Sequence, residues 1–159
     1  MELEEVKIIP EKGTNVIVGG THFIKSVEDI YETLVESGAV SFGVAFCEAS
    51  GPRLIRYDGN DEKAIKLAVE YAQKIGAGHS FVVVLTKGFP VNVLNRLKAV
   101  SEVTSIYAAT ANPFSVILAK AGDGRAILGV ADGGSPLGTE NESEKGERKH
   151  FLKQIGYKR

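Results

Sequence analysis

The chain has 159 residues, of which 43% are hydrophobic and 25% charged, and this balance predicts one globular domain spanning residues 1–159. Nineteen basic and 20 acidic residues give a formal net charge of −1, which excludes binding to nucleic acid polymers through overall charge. No apolar run approaches the roughly 20 residues of a membrane helix, and a single cysteine, Cys47, cannot form an internal disulfide. With no apolar signal-peptide core, the pattern predicts a cytoplasmic protein without membrane contact, and the lack of Trp is typical of a thermophilic source.

The first third of the chain predicts two strands and a helix. Residues 6–9 and 15–18 are rich in β-branched side chains and are separated by Pro10 and Gly13, which predicts an opening hairpin. A helical apolar stripe follows over residues 26–37, with Ser26 as the expected N-cap.

Strict alternation over residues 40–49 predicts a strand with one bulky face and one nearly bare face. Phe42, Val44 and Phe46 share the bulky face, whereas Gly43 and Ala45 share the other. We expect the bare face to leave room for a base or a ribose.

The middle of the chain predicts a short strand over residues 53–56, then a helix and a strand. Asn60 or Asp61 is the expected cap of this second helix, which runs to Ile75 and stops at Gly76. The continuous apolar run over residues 81–85 indicates a strand covered on both faces.

The last part of the chain predicts a third helix from Pro90 to about Val100, strands over residues 103–109 and 114–119, and a hairpin into residues 125–130. Residues 132–146 are rich in Gly, Ser, Asn and Glu, which predicts a ligand loop or a lid before a short helix over residues 144–155. The fold class is therefore α/β, with α+β as the alternative, in one layered sheet of five or more strands with three to four helices.

Known phosphate and metal motifs are absent. The nearest approach to a Walker A motif begins at Gly19-Gly20 and has Ile24 where the second glycine must be. No segment carries the dinucleotide fingerprint, and the three histidines have no partner at metal-ligand spacing. The sequence predicts neither an organic cofactor nor a metal site of protein ligands.

Two histidines are candidates for chemistry. His79 follows Gly76-Ala77-Gly78 at a helix-to-strand junction, where it can act as a nucleophile or a general base. The alternative is a buried histidine bonded to a neighbouring carbonyl. His22, after Gly19-Gly20, is the second candidate.

Charged and polar residues near turns are candidates for ligand binding. Glu48 ends an uncharged strand, so its carboxylate can grip ribose hydroxyls, hold Mg²⁺, or simply pair with Arg53 or Arg56.

Arg125 and the Gly133-Gly134 loop predict a phosphate site. An arginine side chain can donate two parallel hydrogen bonds to one phosphate, and a glycine-rich loop exposes backbone amides that can bind its oxygens. Ser50 and Asn112 are candidate supporting ligands, and the Asn112-Pro113 pair is equally an ordinary turn signal.

Blocks of sequence spread from one end of the chain to the other resemble the adenosine-specific kinase family of archaea and bacteria. They are Gly20-Thr21-His22-Phe23, Gly43-Val44-Ala45-Phe46-Cys47-Glu48-Ala49-Ser50-Gly51, Gly59-Asn60-Asp61, Gly76-Ala77-Gly78-His79, Asn92-Val93-Leu94-Asn95, Ala109-Thr110-Ala111-Asn112-Pro113, Gly124-Arg125, Gly129-Val130 and Gly156-Tyr157-Lys158.

The resemblance implies a homotrimer with a pocket for adenosine or AMP and a histidine that carries a phosphoryl group. His79 is the matching histidine, with His22 as the alternative. We therefore expect Glu48 to hold ribose hydroxyls or a metal, Arg53, Arg125 and the Gly133-Gly134 loop to hold phosphate, and Mg²⁺ to accompany the nucleotide. The alternative function is an AMP-binding sensor without turnover.

Overall fold

The computed structural model describes residues 1–159 and contains four helices and eight strands. The helices are α1 (Ser26–Val35), α2 (Glu62–Ile75), α3 (Pro90–Lys98) and α4 (Glu142–Gln154). The strands are β1 (Glu2–Ile8), β2 (Asn15–Thr21), β3 (Ser41–Cys47), β4 (Ile55–Gly59), β5 (Ser80–Lys87), β6 (Val103–Thr110), β7 (Phe114–Ala121) and β8 (Gly124–Asp132).

The strands form two sheets in which every neighbouring pair is antiparallel. The large sheet has the order β4-β3-β5-β2-β6, and the small sheet has the order β1-β7-β8. The fold is thus a single-domain α+β fold, the second of the two predicted classes. None of the four helices combines the length and the apolar character that crossing a membrane requires.

The predicted opening hairpin is wrong, because the first two strands lie in different sheets. Val6 of β1 pairs with Val116 of β7, whereas Val18 of β2 pairs with Val82 of β5. Six of the seven β2 residues are buried, while most of β1 is exposed or half-buried. Strand propensity records that a segment fits a pleated surface and not which neighbour it takes, so the sequence did not separate the two sheets.

The two faces of the large sheet bury separate cores. On one face, α1 and α3 contribute Ile30, Leu34, Val93 and Leu97. On the other face, α2 and the small sheet cover β2, β3 and β5 together. The central strand β5 is therefore covered on both faces, as its continuous apolar run predicts.

Helix α2 lies directly on the small face of β3. Phe42 and Val44 point towards α1 and α3, and Ala45 points towards α2, which confirms the predicted alternation. A Cβ atom added at Gly43 would lie 2.3 Å from the backbone nitrogen of Ile65. The expected room for a base on this face is absent, because the close approach of the helix fills it.

The two ends of α2 are fixed as the sequence predicts. Asp61 is the N-cap, and its Oδ1 accepts hydrogen bonds from the amides of Lys63 and Ala64 at 2.9 and 3.1 Å. Its Oδ2 accepts a hydrogen bond from the Thr86 hydroxyl at 2.6 Å. Gly76 ends the helix in the left-handed conformation with φ +57°.

Helices α1 and α4 differ in detail from the prediction. Ser26 is the first residue of α1 and not its cap, because its buried hydroxyl donates to the carbonyl of Phe23 at 2.6 Å. Helix α4 begins two residues early, where Asn141 Oδ1 accepts a hydrogen bond from the Glu144 amide at 3.0 Å. Residues 133–141 are exposed and without regular structure, and no residue of α4 is buried.

We expect Gly43→Ala to lower the free energy of unfolding by about 1–3 kcal/mol, because the new methyl group forces the α2 backbone away from β3. Chemical denaturation measures the change. Gly129→Ala is the matched control, since a Cβ there meets no atom within 4 Å. Equal effects of the two substitutions would contradict the close packing of α2 on Gly43.

Candidate functional site

The candidate residues gather at the edge of the large sheet that is formed by the ends of its strands. At this edge β2 and β3 end while β4, β5 and β6 begin, as shown by the pairs Gly20–Ser80, Phe46–Phe81 and Cys47–Ile55. Glu48, Arg53, His79 and His22 all lie in the segments that flank these strand ends. The antiparallel pairing thus brings together residues from three separate loops, because Glu48 and Arg53 share the connection between β3 and β4.

The backbone of His79 is held in the left-handed region, with φ +60°. Its amide donates to the carbonyl of Cys47 at 2.8 Å, and its carbonyl accepts from the amide of Thr21 at 2.8 Å. The half-buried ring stacks on Phe46, with centroids 6.0 Å apart and planes 26° apart. No protein group forms a hydrogen bond with either ring nitrogen. The ring of His79 is therefore not bonded to a neighbouring carbonyl, which was the alternative that the sequence left open.

His22 lies at the same edge but in different surroundings. Its exposed ring places Nδ1 3.0 Å from the carbonyl oxygen of Glu102, and it stacks on Phe23 with centroids 6.4 Å apart. Thr21 connects the two candidates. Its amide donates a hydrogen bond to the carbonyl of His79, and His22 is the next residue in the chain. Of the two rings, only that of His79 has both nitrogens without a protein partner.

A cavity of about 490 Å³, here called the larger cavity, opens beside this edge. It lies between the end of β3, the end of α2 and the turn that joins β7 to β8, and its size is within the range of small-molecule sites. Three of the predicted ligands line it: Glu48, Arg53 and Arg125. Gln73 and Asp123 also line it, and the sequence analysis assigned neither to a site.

Glu48 is held inside the larger cavity by several donors. Its Oε2 accepts from the amide of Leu54 at 2.8 Å, and its Oε1 accepts from Arg56 Nε and Nη2 at 3.0 and 2.9 Å. The Leu54 amide first, and then the Arg56 guanidinium, hold the pKa of Glu48 below its ordinary value. Of the predicted partners, Arg56 is therefore the one that pairs with Glu48.

Arg53 crosses the mouth of the larger cavity. It has φ +53°, and its Nη1 lies 2.7 Å from Asp123 Oδ2 in the β7–β8 turn. This bond lowers the pKa of Asp123. Both side chains are exposed, by 58% and 87%, so water competes with the pair and it can open.

Arg125 closes the C-terminal end of α2. Its Nη1 donates to the carbonyls of Lys74 and Ile75, each at 3.1 Å, and its Nε lies 3.1 Å from Glu4 Oε2. A guanidinium there matches the negative end of the helix dipole. Arg125 therefore has structural partners, and it also lines the cavity.

A second, smaller cavity of about 290 Å³ adjoins the first and contains His79. Gly78 and Arg125 line both cavities, while Gly20, Ser80 and Tyr107 line the smaller one with His79. His79 thus lies next to, and not inside, the cavity of Glu48 and Arg53. Ser80 and Tyr107 are ordinary strand residues in the sequence pattern, so neither was predicted to belong to a site.

Three predicted ligands lie elsewhere in the chain. Asn112, Gly133 and Gly134 are at the opposite end of the β7–β8 hairpin from Arg125, about 25 Å away along β8. Asn112 Nδ2 donates to Asp132 Oδ1 at 3.3 Å, and the Gly133 amide donates to the Pro113 carbonyl at 3.3 Å.

Ser50 lies in an exposed turn and lines neither cavity. No group of three or more His, Cys, Asp or Glu side chains is placed to hold a metal ion.

We expect Glu48→Gln to lower the melting temperature at neutral pH, because the amide cannot accept hydrogen bonds from Leu54 and Arg56 together. A carboxylate whose pKa is lowered by folding stabilises the folded state above its ordinary pKa and loses that contribution on acidification. The difference from wild type should therefore shrink as the pH falls below about 4. Thermal unfolding across pH measures it.

The control for the loss of one charge is Glu28→Gln, on the exposed face of α1. A difference between Glu48→Gln and wild type that stays constant down to low pH would contradict the role of the ionised carboxylate.

A solved structure and a family model each match nearly the whole chain. The PH1918 protein from Pyrococcus horikoshii OT3, whose crystal structure is known, is 41% identical and aligns with a TM-score of 0.94 over 99% of this chain and 98% of that chain. No protein of curated function matches. The family model described as adenosine specific kinase matches residues 6–158. Because this match covers nearly the whole chain, the protein belongs to the adenosine-specific kinase family.

Proposed function

We propose that the protein binds adenosine or AMP in the larger cavity and transfers a phosphoryl group to adenosine through a phosphohistidine at His79. The observation that carries this proposal is the geometry of His79. A strained backbone holds a ring with two unpartnered nitrogens in the smaller cavity, which meets the larger one at Gly78 and Arg125. Strained residues of this kind are concentrated at functional sites.

In the proposed reaction, a ring nitrogen of His79 forms a P–N bond as the P–O bond of a phosphoanhydride donor breaks. The 5′-hydroxyl oxygen of adenosine then attacks phosphorus, the P–N bond breaks, and the hydroxyl proton passes to the released ring nitrogen. Mg²⁺ enters on the phosphates of the donor, since the protein has no cluster of ligands for it.

The residues of the larger cavity have separate roles in this proposal. Glu48, already ionised and fixed by Arg56, accepts hydrogen bonds from the ribose hydroxyls. Arg53 exchanges Asp123 for a phosphate, which is favourable because the exposed pair is weak. Ser50, in the adjacent turn, supports the ligand from the rim.

The homotrimer is part of the same proposal. Helices α3 and α4 border a groove of about 1230 Å³, here called the α3–α4 groove, which leaves Phe89, Val91, Phe151 and Tyr157 more than half exposed. Monomers seldom expose so many large apolar side chains together, which supports a second copy of the chain as the partner that covers them. In such an assembly, Asn112 and the Gly133-Gly134 loop act on the site of a neighbouring subunit.

The alternative proposal is an AMP-binding sensor without turnover. It is favoured by the absence of any recognised phosphate-donor motif, since the segment from Gly19 has Ile24 in place of the second glycine.

We expect purified protein incubated with ATP and Mg²⁺ to gain one phosphoryl group on His79, and to lose it with formation of AMP when adenosine is added. Intact mass and peptide mapping at neutral pH measure both steps. His79→Asn should abolish the adduct, because asparagine tolerates the left-handed backbone but cannot carry the group.

His22→Asn is the matched control and should keep the adduct. An adduct lost only in His22→Asn would move the function to His22. No adduct in any protein, together with a rise in melting temperature on adding AMP, would favour the sensor.

We expect Phe151→Asp to convert the proposed trimer into smaller species, because the charge would be buried in the α3–α4 groove. Light scattering coupled to gel filtration measures the mass. Val35→Asp, on an exposed apolar residue outside this groove, is the control. A trimer that persists in Phe151→Asp would contradict the groove as its interface.

A further inference from the structure

The amide of Gln73 is a free hydrogen-bonding group in the wall of the larger cavity. Each charged side chain that lines this cavity is already bonded within the protein. Glu48 accepts hydrogen bonds from an amide and a guanidinium, and Arg53 pairs with Asp123. Arg125 donates to the last carbonyls of α2. Gln73 is therefore the only lining side chain with nitrogen or oxygen atoms that has no hydrogen-bond partner in the protein.

Gln73 also differs from the rest of the exposed face of α2. Every other exposed residue of this helix is Glu or Lys, and two of them, Glu70 and Lys74, pair with each other at 2.7 Å. The chain has only two glutamines, Gln73 and Gln154. The last turn of α2 thus presents one uncharged group, which both donates and accepts hydrogen bonds, to the larger cavity.

Apolar side chains form the remaining wall of the larger cavity. Cys47, Ala49, Leu54 and Ile55 line it, and Leu54 is half exposed. A purine base has apolar faces and polar edges, so it fits a cavity that combines apolar walls with a few polar groups. In the proposed function, the charged side chains bind the ribose and the phosphate. The apolar wall and the amide of Gln73 are therefore left for the base.

A glutamine amide is complementary to one edge of adenine. On the edge that carries N6 and N7, the amino group donates a hydrogen bond and N7 accepts one, and glutamine binds this edge through both groups in protein–DNA complexes. Guanine and hypoxanthine carry an oxygen in place of the amino group, so the same edge has two acceptors. The amide then makes only one hydrogen bond, and its carbonyl oxygen faces another oxygen.

The edge of adenine that carries N1 and N6 would not give the same discrimination. Guanine and hypoxanthine have an N1–H donor and an oxygen acceptor there, and an amide that turns over pairs with them as well as with adenine. No hydrogen bond within the protein fixes which way the Gln73 amide faces. Contact with N6 and N7 is therefore the arrangement that explains selectivity in an adenosine-specific family.

We propose that Gln73 determines the specificity for adenine, by accepting a hydrogen bond from N6 of the base and donating one to N7. This inference rests on the proposed function, and it places the base in the larger cavity against the apolar wall that includes Leu54. Glu48 and Arg53 keep the ribose and the phosphate. A base with an oxygen at position 6 is rejected, because it leaves one group of the amide unpaired.

The test is calorimetric titration with adenosine, inosine and 7-deazaadenosine, which are all uncharged and differ only in the base. We expect wild type to bind adenosine about tenfold more tightly than either analogue, the cost of one unpaired amide group. Gln73→Met keeps the length of the side chain and suits a helix. It should bind adenosine about tenfold more weakly than wild type does and the three nucleosides equally well, because it makes no hydrogen bond to any of them.

Gln73→Glu is a second variant with a different expected result. Its carboxylate accepts a hydrogen bond from N6 but repels the lone pair of N7, so it should bind 7-deazaadenosine more tightly than adenosine. A purely structural role of Gln73 would not invert this order. Gln154→Met, at an exposed position of α4 outside both cavities, is the matched control and should keep the wild-type order. Thermal unfolding checks that each variant folds.

The outcomes separate this inference from the proposed function. Equal binding of adenosine and 7-deazaadenosine by wild type would overturn the contact with N7, whether or not the variants fold. A wild-type order of affinities that persists in Gln73→Met would overturn the role of Gln73. Both results leave the proposed function intact. Failure of wild type to bind adenosine or AMP would overturn the proposed function, and this inference with it.

Discussion

The left-handed backbone of His79 is the constraint on which the geometry of the site depends. Hydrogen bonds from Thr21 and to Cys47 tie this residue to strands β2 and β3 at once, so its conformation is fixed by two neighbours in the sheet. A strained conformation persists only where the surroundings fix it more than once. The ring stacks on Phe46 and lines the smaller cavity.

Helix α2 connects this constraint to the rest of the fold. Its first turn is fixed by Asp61 and by contact with Gly43, and its end by Gly76 and the guanidinium of Arg125. Arg125 belongs to β8 of the small sheet, so one side chain joins the helix end to the second sheet. The larger cavity lies where the end of α2 and the β7–β8 turn meet the end of β3 and the start of β4.

Local features of the fold could be predicted from the sequence, whereas long-range partners could not. The limits of α2, the buried strand β5 and the β7–β8 hairpin follow from caps, apolar runs and turn residues that act within a few positions. The partner of β1 and the occupant of the small face of β3 depend on packing between distant segments. No periodicity in the sequence records such packing.

The same limit applies to the site. Glu48, Arg53, Arg125 and His79 were predicted because they lie at the end of an uncharged strand or beside turns that contain glycine, and the structure brings these four to adjoining cavities. Gly133 and Gly134 resemble a phosphate loop locally, yet β8 carries them to the far end of the hairpin. Ser80 and Tyr107 could not be predicted, because they reach the smaller cavity only through the pairing of β2 with β5 and β6.

The two ion pairs of the larger cavity differ in a way that bears on ligand exchange. Glu48 is only 10% exposed and has both a backbone donor and a guanidinium, so removing its partners would leave a desolvated charge. Arg53 and Asp123 lie in water, where their attraction is weak and screened. An incoming anion therefore competes for Arg53 at little cost, while the Glu48–Arg56 pair stays in place as a fixed hydrogen-bond acceptor. This division suits a ligand with a charged end and a neutral hydroxylated part, which is the chemical character of a nucleoside monophosphate.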